Sequence, residues 1–457
     1  MGRRPRAPRA HSRSRSRDAA AALVGAALED RAQAKLSAAA YARALRALGR
    51  QRGRPLALPV LLGCPAEGAF VRLADGRVVL DWIGGIGVYA FGHGDADLLE
   101  TAAVAAAAAP VFQGHLLPGL EQLRLGRLLL KHASPRLRHV WLSLSGAIAN
   151  ENALKLIWQK HAPAERIVAF AHGFAGRTTT LAEITDKPAF REGLPLRGVA
   201  LHVPFFDAEA KDPVAKTLAA LDAQLARYPG QIAAMLFELV QGEGGIRSAP
   251  REFFVALMER CKAAGIAVWV DEVQTYARTG ELFAHKTLAL ESYVDVVTAG
   301  KALQGSAVLF RRAYNPKPGL ISGTYAGASV GMAVGARIIE RLEAGGFFGA
   351  QGRIARLGRR VRQRLAKLAR ALPGAVVGPS GIGAMWAFTA FDGSAAAVDA
   401  VIRAALDKGL LVFSAGAEPA RVRLLLPVNT SDAELAQGFA LLERALRRVA
   451  AQREAAC

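Results

Sequence analysis

Lys301 follows the apolar run VDVVTAG, and Asp271 closes another, IAVWV. A lysine amine becomes a nucleophile where its surroundings lower its pKa, and a buried strand end is such a place. A carboxylate delivered to the same edge pairs with a ring nitrogen and holds it protonated, since opposite charges within about 4–6 Å favour both charged forms. Each residue also has a plainer reading, Lys301 as a solvent charge and Asp271 as a helix N-cap. In SLSGAIANENALK an apolar run breaks at Ser145-Gly146-Ala147 and opens a helix. Small residues there let backbone N–H groups approach an anion, with the helix dipole reinforcing them, although such turns also serve plain connections. In FAHGFAGRTTT, Phe174 sits beside Gly173, Gly176 and Arg177. An aromatic next to glycines lies flat against a planar ligand and an arginine forks a carboxylate; a core phenylalanine with a surface arginine is the alternative.

The elements that must position these groups are short apolar runs alternating with helical segments between about Leu117 and Leu320: HVWLSL, RIVAFA, GVALHV, AAMLFELV, IAVWVDEV and VDVVTAG. Runs of four to eight residues rich in Val and Ile between helices predict an α/β domain, a parallel sheet covered on both faces. Ligands in such sheets sit beyond the carboxyl ends of strands, where Asp271 and Lys301 fall. Upstream, FVRLADGRVVLD alternates around an Asp-Gly turn and predicts a hairpin over Phe70–Asp81. Residues Arg31 to Leu48 have helical composition and run into the breaker-rich GRQRGRP. Downstream, an Arg- and Leu-rich helix, GAMWAFTAF, a further helix, LLVFSAG, VRLLLP and a closing helix predict an α+β unit. The arginine run of the first of these helices reads as a solvated face.

A chain of 457 residues exceeds the size at which one hydrophobic core stops growing, so two or more packed units are expected. The formal charge of +21 is unevenly placed: residues 1–54 hold 14 Arg and Lys against 3 Asp and Glu, about half the excess. The segment RRPRAPRAHSRSRSR fits a disordered leader, a targeting peptide or a polyanion-binding arm; no aromatics interleave its arginines, so it lacks a nucleic-acid-binding signature. Cys64, Cys261 and Cys457 are odd in number and far apart, giving neither a disulfide framework nor a metal-site spacing. The stretches Ala19–Leu28 and Ala102–Phe112 fall well below the roughly 18 apolar residues of a membrane span. A cytoplasmic enzyme without a metal is the expectation.

Five segments, in order, resemble the blocks of class III aminotransferases, ω-amino-acid enzymes that use pyridoxal 5'-phosphate. SGAIANENALK resembles SGxEANExALK, FAHGFAGRT resembles GFHGRT, FELVQGEGG resembles EPIQGEGG, VDEVQT resembles DEVQTG, and TAGKALQ resembles the block holding the cofactor lysine. The resemblance runs from about Asp81 to the C-terminus. It implies a fold-type I architecture, and with the composition above the chain divides into a basic leader and helical arm at 1–54, the first part of a small domain at 55–116, a large cofactor-binding domain at 117–332, and the rest of the small domain at 333–457. It assigns Lys301 to the Schiff base with the cofactor and Asp271 to the pyridine nitrogen. Ser145, Gly146 and Ala147 would hold the phosphate, Phe174 would stack on the ring, Val273 would pack behind it, Gln274 would reach its hydroxyl, and Glu238 joins these contacts. Thr324, in GTYAGAS, resembles the threonine that reaches the neighbouring subunit's phosphate, which implies a homodimer with shared active sites. A protonated ring makes the cofactor an electron sink, and the displaced lysine becomes the proton shuttle.

Arg177 and Arg423, the latter in RVRLLLPVNTS, resemble the family's two carboxylate-binding arginines, one for the donor's distal carboxylate and one for 2-oxoglutarate. Glu243, in QGEGG, resembles the glutamate that covers the second arginine while the ω-amine reacts. This solves a physical problem, because an unpaired buried guanidinium is costly. The compact segment KALQGSAVLF lacks the GGGxPxGA loop of acetylornithine and ornithine enzymes and leans toward lysine 6-aminotransferases and 4-aminobutyrate aminotransferases. The chain departs from the family pattern at Ile148 (usually Glu), Ala175 (usually His) and Ala328-Ser329 (usually Asn-Pro), and in GHGDADLLE, close to Tyr89. The expected activity is transfer of an amino group from a lysine-like, ornithine-like or 4-aminobutyrate-like donor to 2-oxoglutarate. The alternatives are an aminomutase or decarboxylase of the same family, or a silent relative binding a polyanion through its basic arm.

Overall fold

The computed structural model describes Gly25, residues 35–108 and residues 116–455. The Arg-Ser leader, most of Ala19–Leu28, the end of Ala102–Phe112, the start of the helical arm and Cys457 lie outside the described residues.

A seven-stranded sheet forms the centre, in the order His139–Ser143, Ser306–Phe310, Val296–Ala299, Ala267–Glu272, Ile232–Glu238, Arg166–Phe170 and Ala200–Val203. All neighbours from Val296–Ala299 to Ala200–Val203 pair in parallel, while Ser306–Phe310 runs antiparallel to both of its neighbours. Alternation along each strand feeds two cores. Val268 and Val270 join Phe253, Phe254 and Leu257 of the helix Arg251–Ala263 on one face. Ala267 and Trp269 join Ala153, Leu154 and Ile157 of the helix Gly146–His161 on the other. The parallel arrangement thus places consecutive carboxyl ends along one edge, with helices on both faces.

The expected hairpin forms as Phe70–Leu73 against Val78–Asp81. Its outer partners are Leu62–Glu67 and, from the far end of the chain, Leu410–Leu411, which pairs in parallel with Leu80–Asp81. A third sheet, Val377–Ile382, Met385–Thr389, Arg421–Leu425 and Phe413–Ala415, is antiparallel throughout. The helix Arg353–Ala371 buries Ile354, Leu357, Val361, Leu365 and Leu368 and leaves Arg356, Arg359, Arg362 and Arg364 exposed, as a 3.6-residue apolar stripe requires. The helix Ser329–Ala344 runs across residue 332. The closing helix Asp432–Glu454 starts on a capping box in which Ser431 Oγ accepts the Glu434 N–H and Glu434 accepts the Ser431 N–H. Among the described residues no helix is long and apolar enough to cross a membrane.

Candidate active site

Parallel register sets the site's floor. Asp271 stands opposite Glu238 on one side and Thr298 on the other, so two carboxylates arrive side by side at buried strand ends. Around them lies a cavity of about 590 Å³ lined by Ser145, Gly146, Ala147, Phe174, Arg177, Glu238, Glu243, Asp271, Val273, Gln274 and Lys301. Every residue expected at the site from the sequence lines this cavity except Arg423, which reaches it through Glu243, and Thr324. Thr324 is exposed and begins the turn Thr324–Gly327, whose last residue is buried.

Asp271 Oδ1 accepts the Val273 N–H at 2.8 Å and Oδ2 accepts an Asn150 Nδ2–H at 2.7 Å. Asn150 is itself fixed: its Nδ2 also donates to the Ala175 carbonyl at 2.7 Å, and its Oδ1 accepts from Thr298 Oγ1 at 2.7 Å. Burial pushes the Asp271 carboxyl up to about 6, against the pull of the Val273 and Asn150 hydrogen bonds and of Lys301. Glu238 is pushed further, to about 8, by burial and then by Asp271, although it accepts N–H bonds from Phe174 at 2.7 Å and Gly242 at 3.3 Å. The two neighbours are therefore held apart in protonation, with Asp271 the more acidic.

Lys301 opens the single turn Lys301–Leu303 directly after its strand, with φ at +43°. Burial brings its amine down to about 8; Glu243 and Asp271 oppose this, while Arg423 and Arg278 add to it. Opposite, the helix Gly146–His161 points its N-terminus into the cavity. Ser145 spends its hydroxyl on the Ile148 N–H at 3.3 Å as N-cap, and the first-turn amides of Gly146 and Ala147 have no intrahelical carbonyl. A Cβ on Gly146 would lie 2.6 Å from Val273 Cγ1, so Val273 is wedged against the turn that carries these amides.

At the mouth, Arg423 Nη1 meets Glu243 Oε1 at 2.5 Å, with the Arg423 side chain only 3% exposed. Burial raises the Glu243 carboxyl, but Arg423, with Lys301 and Gln274, together outweigh it and the net shift is downward. Gln274 Nε2 donates to the same Glu243 oxygen at 3.4 Å. Arg177 is exposed, its guanidinium 4.0 Å from the centre of the Phe190 ring, which Phe174 meets edge-on.

Sequence reasoning missed Asn150, Thr298 and Arg278. Asn150 lay within a recognised block one helical turn beyond Gly146, and that spacing was the available signal. Arg278 is fully buried and donates to the carbonyls of Leu426 at 2.9 Å and Gly87 at 2.8 Å. Of the departures, Ala175 is buried and uses its backbone, donating to Thr185 Oγ1 at 2.9 Å and accepting from Asn150, while Ile148 is 42% exposed.

Residues 58–446 match the family model for class III aminotransferases. The chain belongs to this family. The match begins upstream of Asp81, where the recognisable motifs started. An acetylornithine aminotransferase from Thermosynechococcus vestitus is 30% identical over 399 residues, 84% of this chain and 92% of that one. The 5-aminovalerate aminotransferase DavT of Pseudomonas putida is 31% identical over 330 residues, 68% of this chain and 75% of its own. Among solved structures, lysine aminotransferase from M. tuberculosis superposes with a TM-score of 0.80 at 27% identity, covering 89% of this chain and 99% of that one. The architecture is the fold-type I arrangement of such transaminases, and the cofactor of the family is pyridoxal 5'-phosphate.

Proposed function

We propose that this class III aminotransferase moves an amino group from an ω-amino donor, lysine-like, ornithine-like or 4-aminobutyrate-like, to 2-oxoglutarate. The observation that carries this reading is the Glu243–Arg423 pair, 2.5 Å across the mouth of a cavity that also holds Lys301 and Asp271. A covered arginine suits an enzyme whose two substrates differ in the carboxylate they present. The amine donor leaves the guanidinium with Glu243 as its partner, and a dicarboxylate acceptor displaces Glu243 to reach it.

The residues fit the family's cofactor on two observations. The turn at Gly146 has no room for a side chain against Val273, which leaves small residues and free amides facing the cavity. Asp271 is a buried carboxylate fixed by two donors, and a cationic ring N–H beside it would offset the cost of its burial. Ser145, Gly146 and Ala147 would hold the phosphate, Phe174 and Val273 the two ring faces, Gln274 the ring hydroxyl, and Glu238 the segment around Phe174. Bound pyridoxal phosphate supplies an electron sink for the carbon that carries the amine. Asp271 keeps the proton on the ring nitrogen. Lys301, with its amine near 8, binds the cofactor and afterwards takes and returns the proton at the amine-bearing carbon. Arg177 takes the donor's distal carboxylate.

A homodimer completes the site in this proposal. Leu144, 59% exposed, stands at the cavity wall, and Tyr325, also 59% exposed, follows Thr324 on a turn packed beside the strand His139–Ser143. Apolar side chains left open at a site's rim suit cover by a second copy, whose phosphate Thr324 would reach. We also propose a large domain built on the seven-stranded sheet, a small one from the chain's two ends, and a cytoplasmic location.

The test is a donor panel of lysine, ornithine, acetylornithine, 4-aminobutyrate and putrescine with 2-oxoglutarate. Glutamate formation from the carboxylate-bearing ω-amines supports the reading. Turnover without 2-oxoglutarate would replace it with an aminomutase or decarboxylase. Equal use of putrescine would remove the role given to Arg177.

A further inference from the structure

We infer that Arg421 is a positioning residue that holds Glu243 closed over Arg423 and so sets how easily a dicarboxylate acceptor enters. The inference rests on the gate reading of Glu243 and Arg423 given above.

Arg421 and Arg423 lie two residues apart on one strand and share a face. Both guanidiniums point at one hairpin tip, residues 242–246, between Val240–Gln241 and Arg247–Ser248. Arg423 takes the Glu243 carboxylate. Arg421 takes the backbone: Nη1 donates to the Gly245 carbonyl at 2.8 Å and to Ser380 Oγ at 2.7 Å, and Nη2 donates to the carbonyls of Gly378 and, at 3.3 Å, Ala387. Ser380 Oγ in turn donates to the Ile246 carbonyl at 2.7 Å, and the Gly416 N–H donates to the Glu243 carbonyl at 2.8 Å. The tip is thus tied to the C-terminal sheet and its adjoining turn through the carbonyls of Glu243, Gly245 and Ile246, and Arg421 makes or supports the last two of these ties.

Arg421 is 7% exposed and has no ion-pair partner among the described residues. Burial, with Arg247 nearby, lowers it to about 10, so it stays cationic at neutral pH. Its planar fork of donors lets one side chain bridge a seam that a single ammonium could not span. The strand beneath it is hydrogen-bonded on both edges, to Met385–Thr389 and Phe413–Ala415. Without the Arg421 fork the tip keeps the Gly416–Glu243 and Ser380–Ile246 bonds but loses its tie at Gly245, so Glu243 is held less firmly while Arg423 stays in place.

The test measures glutarate, an unreactive dicarboxylate, binding to the holoenzyme by calorimetry, beside KM and kcat for the ω-amino donor and for 2-oxoglutarate. Arg421→Met should bind glutarate about fivefold more tightly and lower the acceptor KM, while kcat/KM for the donor falls about tenfold. Arg421→Lys should recover part of the difference, and Ser380→Ala should move glutarate affinity the same way by about twofold. Should Arg421→Met fail to fold, Lys and Ser380→Ala carry the measurement. Glu243→Gln is the reference and should tighten glutarate by itself. Unchanged glutarate affinity in the Arg421 and Ser380 variants, with Glu243→Gln tightened, overturns the inference alone. A uniform fall in donor and acceptor kinetics with a lower Tm also overturns it, leaving Arg421 as mere support. No response in Glu243→Gln overturns the gate reading itself.

Discussion

Asn150 Nδ2 lies 2.7 Å from Asp271 Oδ2 and is pinned on its far side by Thr298 Oγ1, also 2.7 Å from Asn150 Oδ1. A helix and two adjacent strands therefore meet on one carboxylate. The Asn150 bond favours the charged form, so its removal raises Asp271 above about 6. In Asn150→Ala the acidic limb of kcat/KM against pH should move to higher pH by about one unit, with activity at neutral pH down about tenfold. Thr298→Val should shift the limb less in the same direction. A limb left in place would show that Asn150 does not govern Asp271.

Lys301 is expected to be indispensable to chemistry and dispensable to folding, since its amine makes no ion pair among the described residues. Lys301→Ala should lower kcat by at least about a thousandfold with Tm close to that of the parent. The parent should show a visible absorption band that borohydride bleaches, leaving cofactor mass on the peptide containing Lys301. Labelling of a different lysine would move the assignment.

Steric geometry predicts a rescue at the proposed phosphate turn. A methyl at Gly146 meets Val273 Cγ1 at 2.6 Å, and overpacking of this kind costs about 1–3 kcal/mol. Gly146→Ala should weaken cofactor affinity, read by dialysis and reloading. Val273→Ala in the same chain should recover part of it, because the clashing branch is gone. Two independent, additive losses would argue against the wedge.

Glu238 makes a pH-dependent contribution with a definite sign. Its folded value of about 8 exceeds the ordinary 4.5, so the folded state holds the proton more tightly. The resulting stability is present below about pH 4.5 and is lost as pH rises through about 8. Glu238→Gln removes this slope: the variant's Tm should gain on the parent's as pH rises across that window. The comparison of slopes matters more than the absolute Tm, because Gln keeps one of the two acceptors used by Phe174 and Gly242. Parallel Tm curves would place the Glu238 proton elsewhere.

The central sheet was legible because Val, Ile and Ala runs of strand length mark buried parallel strands whatever packs on them. Asp271 and Lys301 were legible for the same reason, as polar residues that interrupt apolar runs where a ligand must sit. Asn150 and Thr298 were not, since their partners come from distant segments and neither breaks a local pattern. Arg278 reads in sequence like any turn arginine, and only the closure of both ends of the chain around it turns it into a fully buried group. Ser306–Phe310 was noticed as a compact segment after the lysine rather than as an antiparallel strand inserted into the sheet. Its direction follows from the short return it makes from Val296–Ala299.

The pairing of Leu410–Leu411 with Leu80–Asp81 has a consequence for synthesis. A chain made from its N-terminus exposes the edge of Val78–Asp81 while the whole central sheet is translated, and such an edge recruits other strands. The partner that closes it arrives only with the last tenth or so of the polypeptide. A nascent chain stalled before residue 410 would carry a finished cofactor floor beside an open strand edge, a substrate for chaperones rather than a working half-enzyme.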